Sequence, residues 1–543
     1  MPLLGGALSR PGLSDLGDDQ AYSAVWVSLT SKGHIEVTLD EESATIDTVE
    51  PNANAKGPDR TDLQEGSVGD RGSEGAPTTT PWLVRVGSAL KARRIPLFWS
   101  AVFIGLGLLY MFEYGPFFFD NPAWVTGGDL WGIFRAAHYV GWGFPGGIYD
   151  PSTGVVTFPG MSVLLAPVAM VSGGLGLSES APGVTLAHPT AALLLQPVEL
   201  LLGCTLVFAS DSTAKLLGLS TRARFVLVGA VALVALHVAA VWGHSEDLVA
   251  VAFLLWSFQC LRTDRSRPGG WIMGLGILMQ PLVGLALPLL VGMSTAKDRV
   301  RLVVRSVAPS AVLVGIALLG NWSETIHTIV KQPTPPSINH ATPWLPLAPR
   351  IGKATVPFEQ SFLRITTSGQ REHFLVTHVH QPAVVIVSGG PPRMIGVFLA
   401  LLIGLWVWRR RPDTVGLFWL MTLALSMRCY FEAVMTPYYT APALVLGLIA
   451  AARMGRWRFA IAFVAAAGDT VYGYFRFSPW VWWLPVVALL TVVLACGYPG
   501  WGHLEGRGVV LERNDASADD RLGPPPVTDP LGDTGRPLSP RGT

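Results

Sequence analysis

A succession of long apolar runs separated by short basic turns constrains this chain more than any other feature. The runs lie at about 96–114, 155–173, 187–209, 225–242, 247–262, 271–293, 304–320, 393–408, 414–434, 438–453, 458–474 and 479–497. Crossing ~30 Å of hydrocarbon takes ~20 apolar residues in a helix, and inside lipid each backbone amide and carbonyl must be satisfied by the segment itself. The pattern therefore predicts an all-α fold, a polytopic transmembrane helical bundle with about ten or more crossings. Composition points the same way: 50% of the 543 residues are hydrophobic and 14% are charged, against about 25% charged in a soluble domain. A net charge of +1 leaves no basic face for nucleic acid.

Both ends of the chain differ from its middle. Residues 1–90 are rich in Gly, Ser, Asp and Thr and include the acidic stretch Asp40–Glu41–Glu42. The tail carries Pro524–Pro525–Pro526 among scattered charges. Segments of this kind bury too little apolar area to offset their chain entropy. Disordered arms are expected over 1–90 and 498–543, around a membrane domain at 91–497. No signal-peptide pattern opens the chain. Cys204, Cys260, Cys429 and Cys496 sit in or beside apolar runs without CxxC spacing, which suits buried thiols better than a disulfide framework or a metal knuckle.

The basic turns orient the bundle. Lys91–Arg94, Arg222–Arg224, Arg262–Arg267, Lys297–Arg301, Arg409–Arg411 and Arg453–Arg458 should face the cytoplasm, which puts both termini inside a plasma (inner) membrane. The second half alternates cleanly. In the first half, an even number of crossings must separate Arg94 from Arg222, yet three runs lie between them. The run 271–293 likewise joins two basic turns. Each of these stretches contains a Gln-Pro, Gln196–Pro197 and Gln280–Pro281. Proline removes a helix donor and clashes with the turn before it, so each is expected to split into two short re-entrant helices. Three segments then lie outside: 115–154, the turn Trp242–Asp247, and 321–392.

Candidate chemistry gathers in those external segments. The stretch Gly127–Tyr139 reads as a surface helix, with Trp131, Phe134 and His138 on one side at i, i+3 and i+7. Asp129, at its start, fits either an N-cap or a general base at the water–lipid boundary. Arg428 and Glu432, four apart, form either a self-satisfied pair or part of a cavity wall, with Tyr438 following at the same boundary. His244, Glu246 and Asp247 either cap the next helix or line a site. Asn339, His340 and Trp344, in a Pro-rich stretch, offer the amide and aromatic contacts that sugars take, although Trp344 suits a boundary anchor equally well. His373, His378 and His380 alternate in part as on a strand, and no metal site is assigned to them. No Walker or Rossmann glycine pattern is present.

Taken together, Asp129, Ala136–Ala137, Gly147–Ile148–Tyr149–Asp150–Pro151, Phe158–Pro159, Gly243–His244–Ser245–Glu246–Asp247 and Tyr438–Tyr439–Thr440–Ala441–Pro442 resemble the motifs of GT-C integral-membrane glycosyltransferases. The similarity is greatest to the polyprenyl-phosphate-sugar-dependent mannosyltransferases of glycosyltransferase family 87, and it extends over about 96–497. The resemblance implies transfer of a sugar, mannose or another hexose or pentose, from a polyprenyl-phosphate donor to a glycolipid or glycan acceptor outside the cytoplasm. Transfer would proceed with inversion, with Asp129 as the base and no cofactor beyond the lipid-linked donor. Arg135, Arg350, His340 and Arg428 are then candidates to hold the departing phosphate, and Tyr149, Asp150, His244, Glu246, Asp247, Asn339, Trp344, Glu432 and Tyr438 to line the substrate site. Gln280 stands where the family carries a lysine, and the first loop has one well-placed acid where many relatives have two; both departures bear on the donor and on activity. The alternatives are a transporter or flippase-like protein, which would also use broken helices and buried charge, and a silent scaffold of the same fold.

Overall fold

The computed structural model divides into two compact units, Met1–Thr79 and Thr80–Thr543. Side chains are described over 90–110, 130–177, 190–329, 393–472 and 482–505, with a few exceptions inside those ranges, and at Trp344; elsewhere the helices and strands named below are described by backbone alone. Most of both expected terminal arms falls outside the described residues. In the first unit the described backbone is a short antiparallel pairing of Ser28–Leu29 with Ile35–Glu36.

The second unit is a helical bundle. Its elements are α1 (Arg94–Phe118), α2 (Gly128–Gly141), α3 (Gly160–Gly174), α4 (Ala192–Leu216), α5 (Thr221–His237), α6 (Ser245–Arg262), α7 (Ser266–Met279) and α8 (Leu287–Met293). They are followed by α9 (Ala296–Gly320), α10 (Gly390–Arg410), α11 (Thr414–Phe431), α12 (Ala441–Met454), α13 (Arg456–Tyr472) and α14 (Pro479–Gly497). The apolar runs fall on these helices because a segment that hydrogen-bonds internally hides its own backbone. Caps mark several starts: the Ser220 hydroxyl accepts from the Ala223 amide at 3.3 Å, and the Asp413 carboxylate from the Gly416 amide at 2.8 Å.

Among the described residues, four helical segments are long and apolar enough to cross a membrane: Ala192–Leu216, Thr221–Trp242, Ala296–Gly320 and Thr414–Phe431. On α9, Val300, Val304, Val312 and Leu319 stay exposed, a single-sided apolar face of the kind lipid covers. These helices point to membrane association.

The structure corrects one of the two expected breaks. α4 runs through Pro197 as a single helix of 25 residues; one proline in its second turn removes one ladder bond, and the surrounding apolar contacts hold the helix together. The break at Gln280–Pro281 does occur. α7 stops at Met279, Gln280 is extended (φ −147°, ψ 114°), and a tight 3-10 turn over Pro281–Ala286 leads into α8.

The segment 321–392 also departs from an all-α chain. Its backbone forms an antiparallel hairpin of β1 (Arg350–Ile365) and β2 (Arg371–Val384). His378 pairs with Pro357 and His380 with Thr355, so the alternation read from the sequence is that of a strand. β-Branched and aromatic residues such as Val356, Val376, Phe362 and Phe374 favour the pleated pairing there. A shorter pairing joins Ala123–Val125 to Gly183–Thr185. At the other end, the chain after Gly497 holds a short helix, Trp501–Leu504, against the start of α11. There the Asp413 amide donates to the His503 carbonyl at 3.0 Å and His503 Nδ1 pairs with Asp413 Oδ2 at 2.5 Å. Residues 498–505, expected in the tail, thus include this packed helix.

The packing that matters for the site is close. α2 packs on α3, α4 on α6, and α7 between α6 and α9. Where α3 starts, a Cβ placed on Gly160 would lie 2.5 Å from the Leu278 carbonyl oxygen. Backbone cannot yield as a side chain can, so Gly160→Ala should cost about 1–3 kcal/mol. A lowered thermal unfolding midpoint in detergent checks this.

Candidate functional site

The ends of several helices converge on one cavity. α5 runs into a wider π-type turn, Val238–Trp242, and Gly243 then takes φ +70°, the left-handed conformation that a residue without Cβ adopts freely. That turn delivers His244 to a buried position. Its ring stacks on Tyr438 at 3.6 Å, with an interplanar angle of 22°, and its Nδ1 lies 2.6 Å from Glu246 Oε1. Glu246 and Asp247 follow in the first turn of α6, where unpaired amides and the helix dipole favour negative charge.

Arg428, in the last turn of α11, faces them. Its Nε donates to Glu432 Oε2 at 3.1 Å, and its guanidinium lies 3.5 Å above the Tyr439 ring. A second cation shares that carboxylate: Arg393, near the start of α10, donates through Nε to Glu432 Oε1 at 3.0 Å. Tyr438 sits on the 3-10 turn Pro437–Thr440 that opens α12.

These groups border a cavity of about 390 Å³. His244, Gln280, Arg393, Arg428, Glu432 and Tyr438 form its polar part, with Thr157; Phe158, Leu282, Leu285, Ile329 and Val397 form an apolar part, and Ile133 of α2 reaches it as well. Gln280 is present because the helix breaks there.

The sequence-derived candidates fall into several groups. His244, Arg428, Glu432 and Tyr438 line the cavity together, and Glu246 and Asp247 are buried beside His244. Tyr149 and Asp150 brace the first loop. The Tyr149 hydroxyl donates to the Thr157 carbonyl at 3.1 Å, and burial pushes its phenol up from its ordinary pKa, so it remains a donor. Asp150 Oδ1 accepts from the Ser152 amide at 2.9 Å and from its hydroxyl at 2.5 Å. Arg135 is exposed, with a 3.4 Å contact to the Ser152 carbonyl, and is not among the residues that line the cavity. Trp344 donates through Nε1 to the Phe431 carbonyl at 2.8 Å, tying its segment to the end of α11.

Asn339 and His340 lie outside the described residues, as do the side chains of Asp129 and Arg350. The backbone puts Asp129 second in α2, one turn before the cavity-lining Ile133 and on the same helix face. The aromatic stripe expected on α2 is present, with Trp131 and Phe134 buried and Phe134 and His138 ring centroids 5.0 Å apart.

Sequence reasoning passed over Arg393, Thr157 and Glu199. Arg393 had a signal, as a lone cation at the end of an apolar run opposite its basic turn Arg409–Arg411, where the orienting rule expects few. Glu199 had one too, since an ionisable residue within an apolar run points to function by itself. No protein-family model matches the chain, and a search of curated proteins finds no relative for it.

Proposed function

We propose that the chain is a multi-pass glycosyltransferase of the plasma membrane, with a GT-C-like bundle, that moves a sugar from a polyprenyl-phosphate donor to a glycolipid or glycan acceptor on the external face. The observation that carries this reading is the two-sided cavity, with Arg393 and Arg428 at its polar part and aliphatic side chains along the remainder. A lipid-linked phosphate has the same division between charge and hydrocarbon. A guanidinium matches phosphate oxygens bidentately.

Helix lengths also support the orientation. At 1.5 Å per residue, the 15-residue α3 reaches about 22 Å, short of a full crossing. If α2 and α3 both lie at the outer face, α1 and α4 make the even pair of crossings that Arg94 and Arg222 require, with α4 unbroken. The broken α7–α8 segment likewise leaves and returns. His244, Gln280, Arg393, Arg428 and Tyr438 then all sit at outer helix ends.

In the reaction, the acceptor hydroxyl oxygen attacks the anomeric carbon from the face opposite the phosphate. The bond from that carbon to the phosphate oxygen breaks, the lipid phosphate leaves with the electron pair, and the configuration inverts. Asp129 takes the hydroxyl proton. Arg428 and Arg393 meet the charge that develops on the leaving phosphate, a role that is strongest in a site shielded from water.

The test is a comparison of cell-envelope glycolipids with and without the protein. A glycolipid should disappear in its absence, with the unglycosylated acceptor accumulating. A transporter would instead change where a substrate resides in sealed vesicles, with every glycosidic bond unchanged.

A further inference from the structure

Behind His244, the described residues bring together a set of groups that sugar transfer by one base leaves unused. Glu199 of α4 is 0% exposed, Glu246 0%, Asp247 1% and His244 4%. One ligand atom from each of His244, Glu246 and Asp247 lies within 4.8 Å of the others. Atoms that share an ion at about 2.0–2.3 Å are at most about 4.6 Å apart, close to the spacing these three already have.

Glu199 is an independent observation, because it comes from a different helix. Neither of its carboxylate oxygens has a hydrogen-bond partner, and the charged groups that act on it are Glu246 and His244. Asp247 is similar: neither oxygen has a hydrogen bond of ordinary geometry, and the Gln280 amide is the side-chain donor beside it. Buried carboxylates need a counter-charge or a full set of donors. His244 and Arg428 both act on Asp247, and Arg428 is already held by Glu432 and by the Tyr439 ring.

We propose that Glu199, His244, Glu246 and Asp247 form a binding site for a divalent cation. Three carboxylates with one imidazole suit Mn²⁺ or Zn²⁺ better than the all-oxygen cages of Ca²⁺ or Mg²⁺. Binding the ion would take the place of the His244–Glu246 hydrogen bond. His244 also lines the cavity, so the ion is reached from there. The inference stands apart from the transfer reading, since its test needs neither donor nor acceptor nor turnover.

The experiment uses the full chain in detergent, stripped with EDTA and titrated with Mn²⁺. Bound ion is followed by loss of the free-Mn²⁺ electron paramagnetic resonance signal and by the thermal unfolding midpoint. The wild-type protein should bind Mn²⁺ stoichiometrically, unfold at a higher temperature with it, and release it to Zn²⁺. Glu199→Gln and Asp247→Asn, which keep shape and remove charge, should each weaken binding by about 10–100-fold or more. Should either variant fail to fold, the wild-type complex still decides, because its bound Mn²⁺ must show coupling to a histidine nitrogen. Absence of Mn²⁺ and Zn²⁺ binding, absence of that coupling, or unchanged affinity in folded variants overturns the site.

Discussion

Glu432→Ala should be among the most destabilising substitutions in the bundle. Glu432 is 3% exposed as a side chain and carries both arginines, Arg428 at 3.1 Å and Arg393 at 3.0 Å. Removing one partner of a buried ion pair costs about 3–5 kcal/mol, because the remaining charge stays desolvated. The value should fall near the lower end: the Arg393 side chain is 28% exposed and can turn towards water, whereas that of Arg428 is 15% exposed. Arg428 retains the Tyr439 ring, a weaker partner than a carboxylate. Glu432→Gln keeps one acceptor oxygen and should lose less. Thermal unfolding of the three proteins in the same detergent decides the matter, and a Glu432→Ala protein that unfolds with the wild type would show that the pair contributes nothing to the fold. In the transfer reading, the same carboxylate holds the two guanidiniums ready for a phosphate.

Asp129→Asn should separate the two roles open to that residue. At the second position of α2, replacing aspartate by asparagine forgoes only about 0.3–1 kcal/mol of dipole interaction, so the unfolding midpoint should fall little. Asparagine cannot accept a proton, and loss of a general base lowers the rate by about 10²–10⁴-fold. The loss should appear in kcat with KM nearly unchanged, because the proton moves only as the transition state forms. An Asp129→Asn protein with full transfer activity would reduce Asp129 to a first-turn charge.

The parts of this structure legible in the sequence are those governed by short-range rules. Hydrophobic length placed the helices, since an apolar run has few alternatives to helix. The spacing of Arg428 and Glu432 suggested a pair on one helix end, and they do pair. What the spacing concealed was Arg393, which reaches the same carboxylate from another helix. Two Gln-Pro dipeptides read alike and behave differently. Pro197 sits among α4 neighbours that keep the helix continuous, whereas Gln280–Pro281 meets a second proline, Pro288, soon after and opens the chain. The second proline was readable in the sequence, whereas the packing that keeps α4 continuous was not. The hairpin over Arg350–Val384 was visible as an alternation at His378 and His380, but external position alone suggested a loop. Glu199 was readable as a charge in an apolar run; its nearness to Glu246 and His244 depends on how α4 meets α6.

The most direct test of the sugar-transfer account uses the purified wild-type chain in lipid nanodiscs. It is given a polyprenyl-phosphate sugar labelled in the sugar, together with an envelope lipid extract as acceptor. The account predicts that label passes to an acceptor in a new glycosidic bond of inverted configuration while free polyprenyl phosphate is released. A folded protein that leaves all the label on the donor, across the hexose and pentose donors, would contradict it.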